Sequence, residues 1–251
     1  MQGICISKLL TLITALCLPS FLRITSVVGK GFLAKGITVE SYAGPSSGSD
    51  FTDFYQCSFI AYQDTLYVHS FRQFYRECDV YGTVDFTFGN AAVVLQKCNL
   101  YARKPNPRQT NVFTAQGRKD PNQNTGISII KCKVEAAADL IPVQSSHKNC
   151  LGRPWKEYSR TVYMGSYIGN LIEPRGWLEW NGDFALRTLY YGEYMNRGPG
   201  SNTSHKWPGY RVINSSIEAA QFTVANFIHG EEWIPATGFP FYLNFTSLPP
   251  N

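Results

Sequence analysis

The 251-residue chain is poor in charge. Only 16% of its residues are Asp, Glu, Lys or Arg, and no run of one sign occurs anywhere. Its 23 basic residues exceed its 18 acidic ones by a scattered net charge of +5. Nucleic-acid binders concentrate basic residues in a patch or stripe, so that class is disfavoured. A mildly basic protein acting on a polyanion, such as an acidic polysaccharide, fits better because long-range attraction speeds encounter. Histidine is also scarce. The four copies, His69, His147, His205 and His229, sit in no triad-like context, and no Gly-x-Ser-x-Gly elbow is present, so serine-hydrolase chemistry has no support. No Cys-x-x-Cys pair occurs, so a zinc site lacks its spacing and neither metal nor cofactor is expected. Beyond one short apolar run near the start, nothing approaches the roughly 20 residues that cross a bilayer, and no linker divides the chain.

Aromatic residues are plentiful, with 16 Phe, 15 Tyr and 5 Trp, alongside 21 Gly and 14 Pro. That mix favours short strands joined by many turns. Strand-like segments run from about residue 27 to 213. The clearest are residues 91–98, 126–132 and 160–168, separated by polar turns at 104–107 and 120–124. Within this stretch a short segment repeats. One copy reads Cys57-Ser-Phe-Ile-Ala-Tyr-Gln-Asp64 and the next Cys78-Asp-Val-Tyr-Gly-Thr-Val-Asp85, a common offset of 21 residues. Further copies begin at Cys98 and Cys132. A β-rich repeat of this length predicts a solenoid in which each copy makes one coil. Strands of adjacent coils lie about 4.8 Å apart, so Asp64 and Asp85 are expected side by side. Two neighbouring carboxyls do not ionise independently; one keeps a proton near neutral pH while the other is charged, which equips the pair as acid and nucleophile.

The opening residues, with Lys8 ahead of an apolar run that ends at Pro19, read as a secretory signal peptide over residues 1–24, leaving a single domain over 25–251. Three sequons, at Asn202, Asn214 and Asn244, agree with export and N-glycosylation. Five cysteines lie beyond the leader, an odd number that leaves at least one unpaired. Stacking as small apolar residues inside the solenoid accounts for most of them. Residues 198–209 read as a surface loop. Ser215-x-x-Glu218 forms a capping box ahead of a short C-terminal helix over 219–228, expected to cover the open end of the stack.

Three segments carry a resemblance: Gln63-Asp64-Thr65-Leu66-Tyr67, residues 82–89 (Gly-Thr-Val-Asp-Phe-Thr-Phe-Gly), and Leu151-Gly152-Arg153-Pro154-Trp155. Their order and content resemble three motifs of the pectinesterases, and residues 114–118, 176–180 and 190–194 resemble further segments of the plant members. The resemblance covers roughly residue 27 to the C-terminus. It implies an all-β, right-handed parallel β-helix and a cofactor-free ester hydrolase that removes methyl groups from methyl-esterified homogalacturonan, releasing methanol. By motif, Asp85 corresponds to the nucleophile and Asp64 to the acid and later base. Gln63 corresponds to an oxyanion donor, Arg153 to the arginine paired with the nucleophile, and Trp155 to an aromatic that packs on a sugar ring. The same resemblance implies a Cys98–Cys132 disulfide, pectin as the partner, a proteinaceous pectinesterase inhibitor as a second partner, a monomer, and an extracellular, cell-wall location.

The chain also departs from that pattern. The early Gly-x-Tyr-x-Glu motif is absent. Ala43-Gly44-Pro45 runs directly into residues 46–50, where the family inserts a segment with Gln-Ala-Val-Ala-Leu that supplies a second oxyanion donor. Val39 stands at the usual partner position of Cys57, Cys150 stands where an aromatic is common, and Thr87 replaces an Ile or Val. Loss of one oxyanion donor lowers turnover by ~100-fold, and loss of part of a coil obliges the stack to adjust. The alternative expectation is therefore a non-catalytic homologue that only binds wall pectin.

Overall fold

The computed structural model describes residues 25–27, 32–35, 38–39, 43–44, 51–202, 204 and 207–245; the leader expected over 1–24 lies outside them. Almost all strands pair in parallel and fall into three long sheets that wind as a parallel β-helix. Sheet A has five strands, sheet B eight and sheet C six, and the chain passes A to B to C in each full coil.

The winding repeats because one turn repeats. Between sheets B and C the chain bends at a single left-handed residue: Gln56, Glu77, Lys97, Lys131, Gly165 and Met195, with φ between 49° and 56°. The residue that follows points inward, and at four successive coils it is Cys57, Cys78, Cys98 and Cys132, continued by Ser166. Gly165 also explains why residues 160–168, expected as one strand, form two, Arg160–Met164 in sheet B and Tyr167–Ile168 in sheet C.

Inward side chains stack in rungs. In sheet C, Phe59, Val80, Leu100, Val134 and Ile168 lie in register, each fully buried. In sheet B, Phe54, Tyr75, Leu95, Ile129 and Tyr163 do the same. Each such aliphatic side chain contributes about 1.5–3 kcal/mol relative to exposure. The strand Ala92–Gln96 is buried at every position because sheet B is covered on both faces.

The second cover corrects one expectation. The predicted C-terminal helix is two helices, α1 (Ser216–Ala220) and α2 (Val224–Ile228). Ser215 caps α1 by accepting the Glu218 N–H, as the capping box implies. Thr223 then adopts an extended backbone and caps α2 by accepting the Asn226 N–H. These helices do not close the end of the stack. Val224, Phe227 and Ile228 of α2, with Phe222 of the turn between the helices, pack along the outer face of sheet B against Phe74, Val94 and Val162, and the Ser128 hydroxyl donates to the Phe222 carbonyl at 2.7 Å. Those outward residues are apolar and therefore need a cover. The expected surface loop at 198–209 contains a short 3₁₀ turn, Pro199–Ser201, and buries Trp207.

The expected Cys98–Cys132 disulfide is not formed, and no disulfide joins any of the five described cysteines. Cys98 and Cys132 do occupy neighbouring coils, but each thiol donates to backbone carbonyls instead. Cys98 Sγ reaches Tyr75 O at 3.4 Å and Cys132 Sγ reaches Leu95 O at 3.3 Å. The Cys98 N–H donates to Cys132 Sγ at 3.3 Å, and Ser166 Oγ accepts the Cys132 N–H at 3.0 Å one coil on. Side chains in register on parallel strands run alongside one another, so this ladder satisfies the sulfurs without convergence. The stacked-cysteine reading accounts for it.

Sheet A alone among the three departs from chain order. Sheets B and C keep chain order, whereas in sheet A Thr25–Val27 lies between Ala43–Gly44 and Leu66–Val68, with Thr25 level with Leu66 and Ser26 with Tyr67. An upstream strand thus flanks the coil that carries Asp64.

Candidate active site

Asp64 and Asp85 sit at the same point of adjacent coils, where sheet C turns into sheet A. Leu66 pairs with Thr87, and the Asp64 and Leu66 N–H groups donate to Val84 O at 3.0 Å and Phe86 O at 2.8 Å. The 21-residue offset is therefore the register of the sheet. Both aspartates adopt left-handed backbone, φ 54° and 51°, a conformation that non-glycine residues accept rarely and Asp more readily than most.

Arg153 arrives from a loop two coils further along. That loop is pinned by backbone hydrogen bonds from Leu151 N–H to Gly176 O (2.7 Å), Arg153 N–H to Thr114 O (3.0 Å) and Leu178 N–H to Gly152 O (2.9 Å). It passes so close to its neighbour that a Cβ on Gly152 would stand 2.3 Å from Thr114 Oγ1, which explains the glycine. From there Arg153 grips Asp85 with both arms of its fork, Nε to Oδ1 at 2.8 Å and Nη2 to Oδ2 at 2.7 Å. Its guanidinium also lies 4.5 Å from the centroid of the Trp180 ring. Such a bidentate pair fixes the orientation of the carboxylate as well as its charge.

Burial raises both carboxyls. The Asp64 carboxyl is pushed up to about 7 by burial and by the charge of Asp85, against the opposing pull of Arg153. Burial also raises Asp85, but the Arg153 hydrogen bonds and charge pull it back. Near neutral pH the pair thus holds one proton, placed on Asp64. Gln63, next to Asp64, is half-buried, and no hydrogen bond occupies its side chain among the described residues.

Aromatic rings extend the site along the outer face of sheet A. Tyr67 and Phe88 stack in parallel at 4.5 Å, and Trp155 meets Phe88 edge-on at 6.0 Å. Trp155 rests over Gly117, where a Cβ would come within 2.6 Å of its ring. Tyr67, Phe88 and Trp180 were not singled out from the sequence. A signal was there: Tyr67 and Phe88 each lie three residues after one of the aspartates, so the register that pairs the acids pairs the rings. The predicted residues Asp64, Asp85, Gln63, Arg153 and Trp155 all belong to this corner and face. Asn202, Asn214 and Asn244 are exposed on the surface. A separate hollow of about 570 Å³, lined by Glu135, Ile141, Tyr167 and Asn170 among others, contains none of the site residues.

Comparison with known proteins places this geometry. A family model described as Pectinesterase matches residues 20–231. Pectinesterase 2 of Citrus sinensis is 63% identical over 226 residues, covering 86% of this chain and 44% of that protein. The probable pectinesterase/pectinesterase inhibitor 34 of Arabidopsis thaliana is 60% identical, covering 86% of this chain and 38% of its own length. The chain thus spans less than half of these relatives. Among solved structures, pectin methylesterase from carrot superposes with a TM-score of 0.81 at 54% identity, covering 86% of this chain and 72% of that one. The chain belongs to the pectinesterase family.

Proposed function

We propose that the chain is a carboxylic ester hydrolase that removes methyl groups from methyl-esterified homogalacturonan by an aspartyl acyl-enzyme route. The observation that carries this reading is the asymmetric carboxyl pair, with Asp85 clamped by Arg153 and Asp64 holding the proton. The ionised Asp85 attacks the ester carbonyl carbon. Negative charge then develops on the carbonyl oxygen, where the Gln63 amide N–H donates to it, a type of contact worth roughly 3 kcal/mol. Collapse of this intermediate breaks the bond to methoxide, which takes the proton of Asp64 and leaves as methanol. Asp64, now charged, removes a proton from water; the hydroxide attacks the acyl carbon and Asp85 departs as a carboxylate. Trp155, with Tyr67 and Phe88, offers apolar faces to sugar rings, and Arg153 neutralises the nucleophile between turnovers.

The same reading makes the protein a secreted, extracellular glycoprotein of the cell wall, modified at Asn202, Asn214 and Asn244. It acts as a monomer on pectin and is open to a proteinaceous pectinesterase inhibitor. The exposure of the three asparagines and the names of the relatives support this reading.

The experiment is methanol release from highly methylated pectin by the purified chain and by Asp85→Asn. Release that vanishes in the variant supports the reading. A folded wild type that releases none refutes it and leaves the pectin-binding alternative.

A further inference from the structure

We propose that Thr65 is a positioning residue whose hydroxyl ties the coil of Asp64 to the coil of Asp85 and thereby holds the two carboxyls at their working separation. This rests on the esterase reading above. Thr65 is fully buried directly after Asp64. Its Oγ1 lies 3.1 Å from Tyr62 O on its own coil and 2.9 Å from Tyr81 O on the next. The first contact closes the four-residue turn Tyr62-Gln63-Asp64-Thr65, which presents both Gln63 and the left-handed Asp64. The second anchors that turn to the coil leading into Asp85.

Neither carbonyl needs this hydroxyl for its own satisfaction. Tyr62 O already accepts the Thr83 N–H at 2.7 Å, and Tyr81 O accepts the Ala61 N–H at 3.2 Å. One hydroxyl proton is shared between two acceptors that have other donors, so the arrangement serves as a cross-tie rather than as repair of a buried polar group. Space has been made for it. Gly82 faces this point, and a Cβ there would stand 2.7 Å from Thr65 Oγ1 and 2.2 Å from Phe86 Cβ. On the next coil the residue level with Thr65 is Phe86, which has no hydroxyl, so the tie exists at the acid's coil and is not a general feature of the repeat.

Thr65→Val keeps the shape and removes the tie; because both carbonyls retain backbone donors, the variant folds. Freed from the tie, the turn lets Asp64 move away from Asp85 and toward water. Small misplacements of this kind cost up to about 100-fold in rate. The expected result is kcat lowered roughly 10–100-fold with KM within about twofold, and an alkaline limb of the pH–rate profile moved to lower pH. Thr65→Ser, which restores the hydroxyl, recovers most of kcat and returns the limb toward its original position. A readout independent of turnover is the carboxyl ¹³C titration of Asp64, assigned by its loss in Asp64→Asn; its midpoint falls in Thr65→Val and not in Thr65→Ser. An unshifted Asp64 titration in folded Thr65→Val, or Thr65→Ser behaving like Thr65→Val, overturns the proposal. An inactive wild type refutes the esterase reading instead, and the titration still decides the tie.

Discussion

Asp53 is the sharpest test of the energetics. It lies on the strand Phe51–Tyr55 of sheet B, 1% exposed, and neither carboxylate oxygen has a hydrogen-bond partner among the described residues. Its surroundings are apolar. Phe51 stacks on Trp233 at 4.8 Å, Tyr55 meets Phe239 at 5.2 Å, and Phe74 is its cross-strand neighbour. Burial pushes the carboxyl up to about 8. In the unfolded chain the same group titrates near 3.9. Between these values the folded state binds more protons than the unfolded one, so stability is full below about pH 4 and declines as pH rises toward 8. At about 1.4 kcal/mol per pH unit the loss reaches about 4 kcal/mol at pH 7. Local rearrangement around the carboxyl only reduces that upper limit. Asp53→Val replaces the group with a β-branched residue suited to the strand. The assay is urea unfolding of both proteins at pH 4, 6 and 7. The variant should gain about 1–4 kcal/mol over wild type at pH 7, with a shallower pH dependence. Equal slopes, or a variant less stable at pH 7, would show that Asp53 is ionised and compensated in the folded protein, and the reasoning would fail.

Three further outcomes are expected. Methanol release should fall as pH rises through about 7, because Asp64 loses the proton destined for methoxide, and Arg153→Ala should move the acidic limb upward by releasing Asp85 from its cation; profiles insensitive to both would contradict the assignment. Thr87 Oγ1 is buried without a hydrogen-bond partner among the described residues, so Thr87→Val should stabilise by about 1–2 kcal/mol in urea unfolding, and a loss of stability would reveal a use for that hydroxyl. Met195 is an exposed left-handed corner residue, φ 49°, so Met195→Gly should raise the thermal midpoint through about 1 kcal/mol of relieved strain; a lowered midpoint would refute that view of the corners.

The core of the site was legible because it depends on register alone. The spacing from Cys57 to Asp64 and from Cys78 to Asp85 already placed the carboxyls level, and the stacked cysteines followed from the same count. The partner of Asp85 was legible only through the motif around Arg153, since a contact spanning 68 residues leaves no local period to read. Other features depend on what covers a surface. Outward apolar residues such as Phe74 and Val94 announce that sheet B needs a cover, yet nothing local says that α1 and α2 provide it, through contacts such as Ser128 to Phe222, 94 residues apart. Asp53 escaped notice for the same reason, because its strand alternates as any strand would. The thiol ladder shows the limit of a carried-over pairing: positions can be neighbours without their sulfurs being joined.

That ladder has a kinetic consequence. Without covalent rungs, a parallel stack frays from its ends, each coil opening before the one it shields. Among the described residues of sheet A, Ala43–Gly44 and Thr25–Val27 lie on one side of the strand that follows Asp64, and Thr87–Gly89 and Thr114–Gln116 on the other. Opening that proceeds from the Ala43–Gly44 side therefore reaches the proton donor before the nucleophile and its arginine. Warming should silence turnover while the Arg153–Asp85 clamp is still closed, and cooling should restore it at the rate of closing one coil rather than refolding a chain.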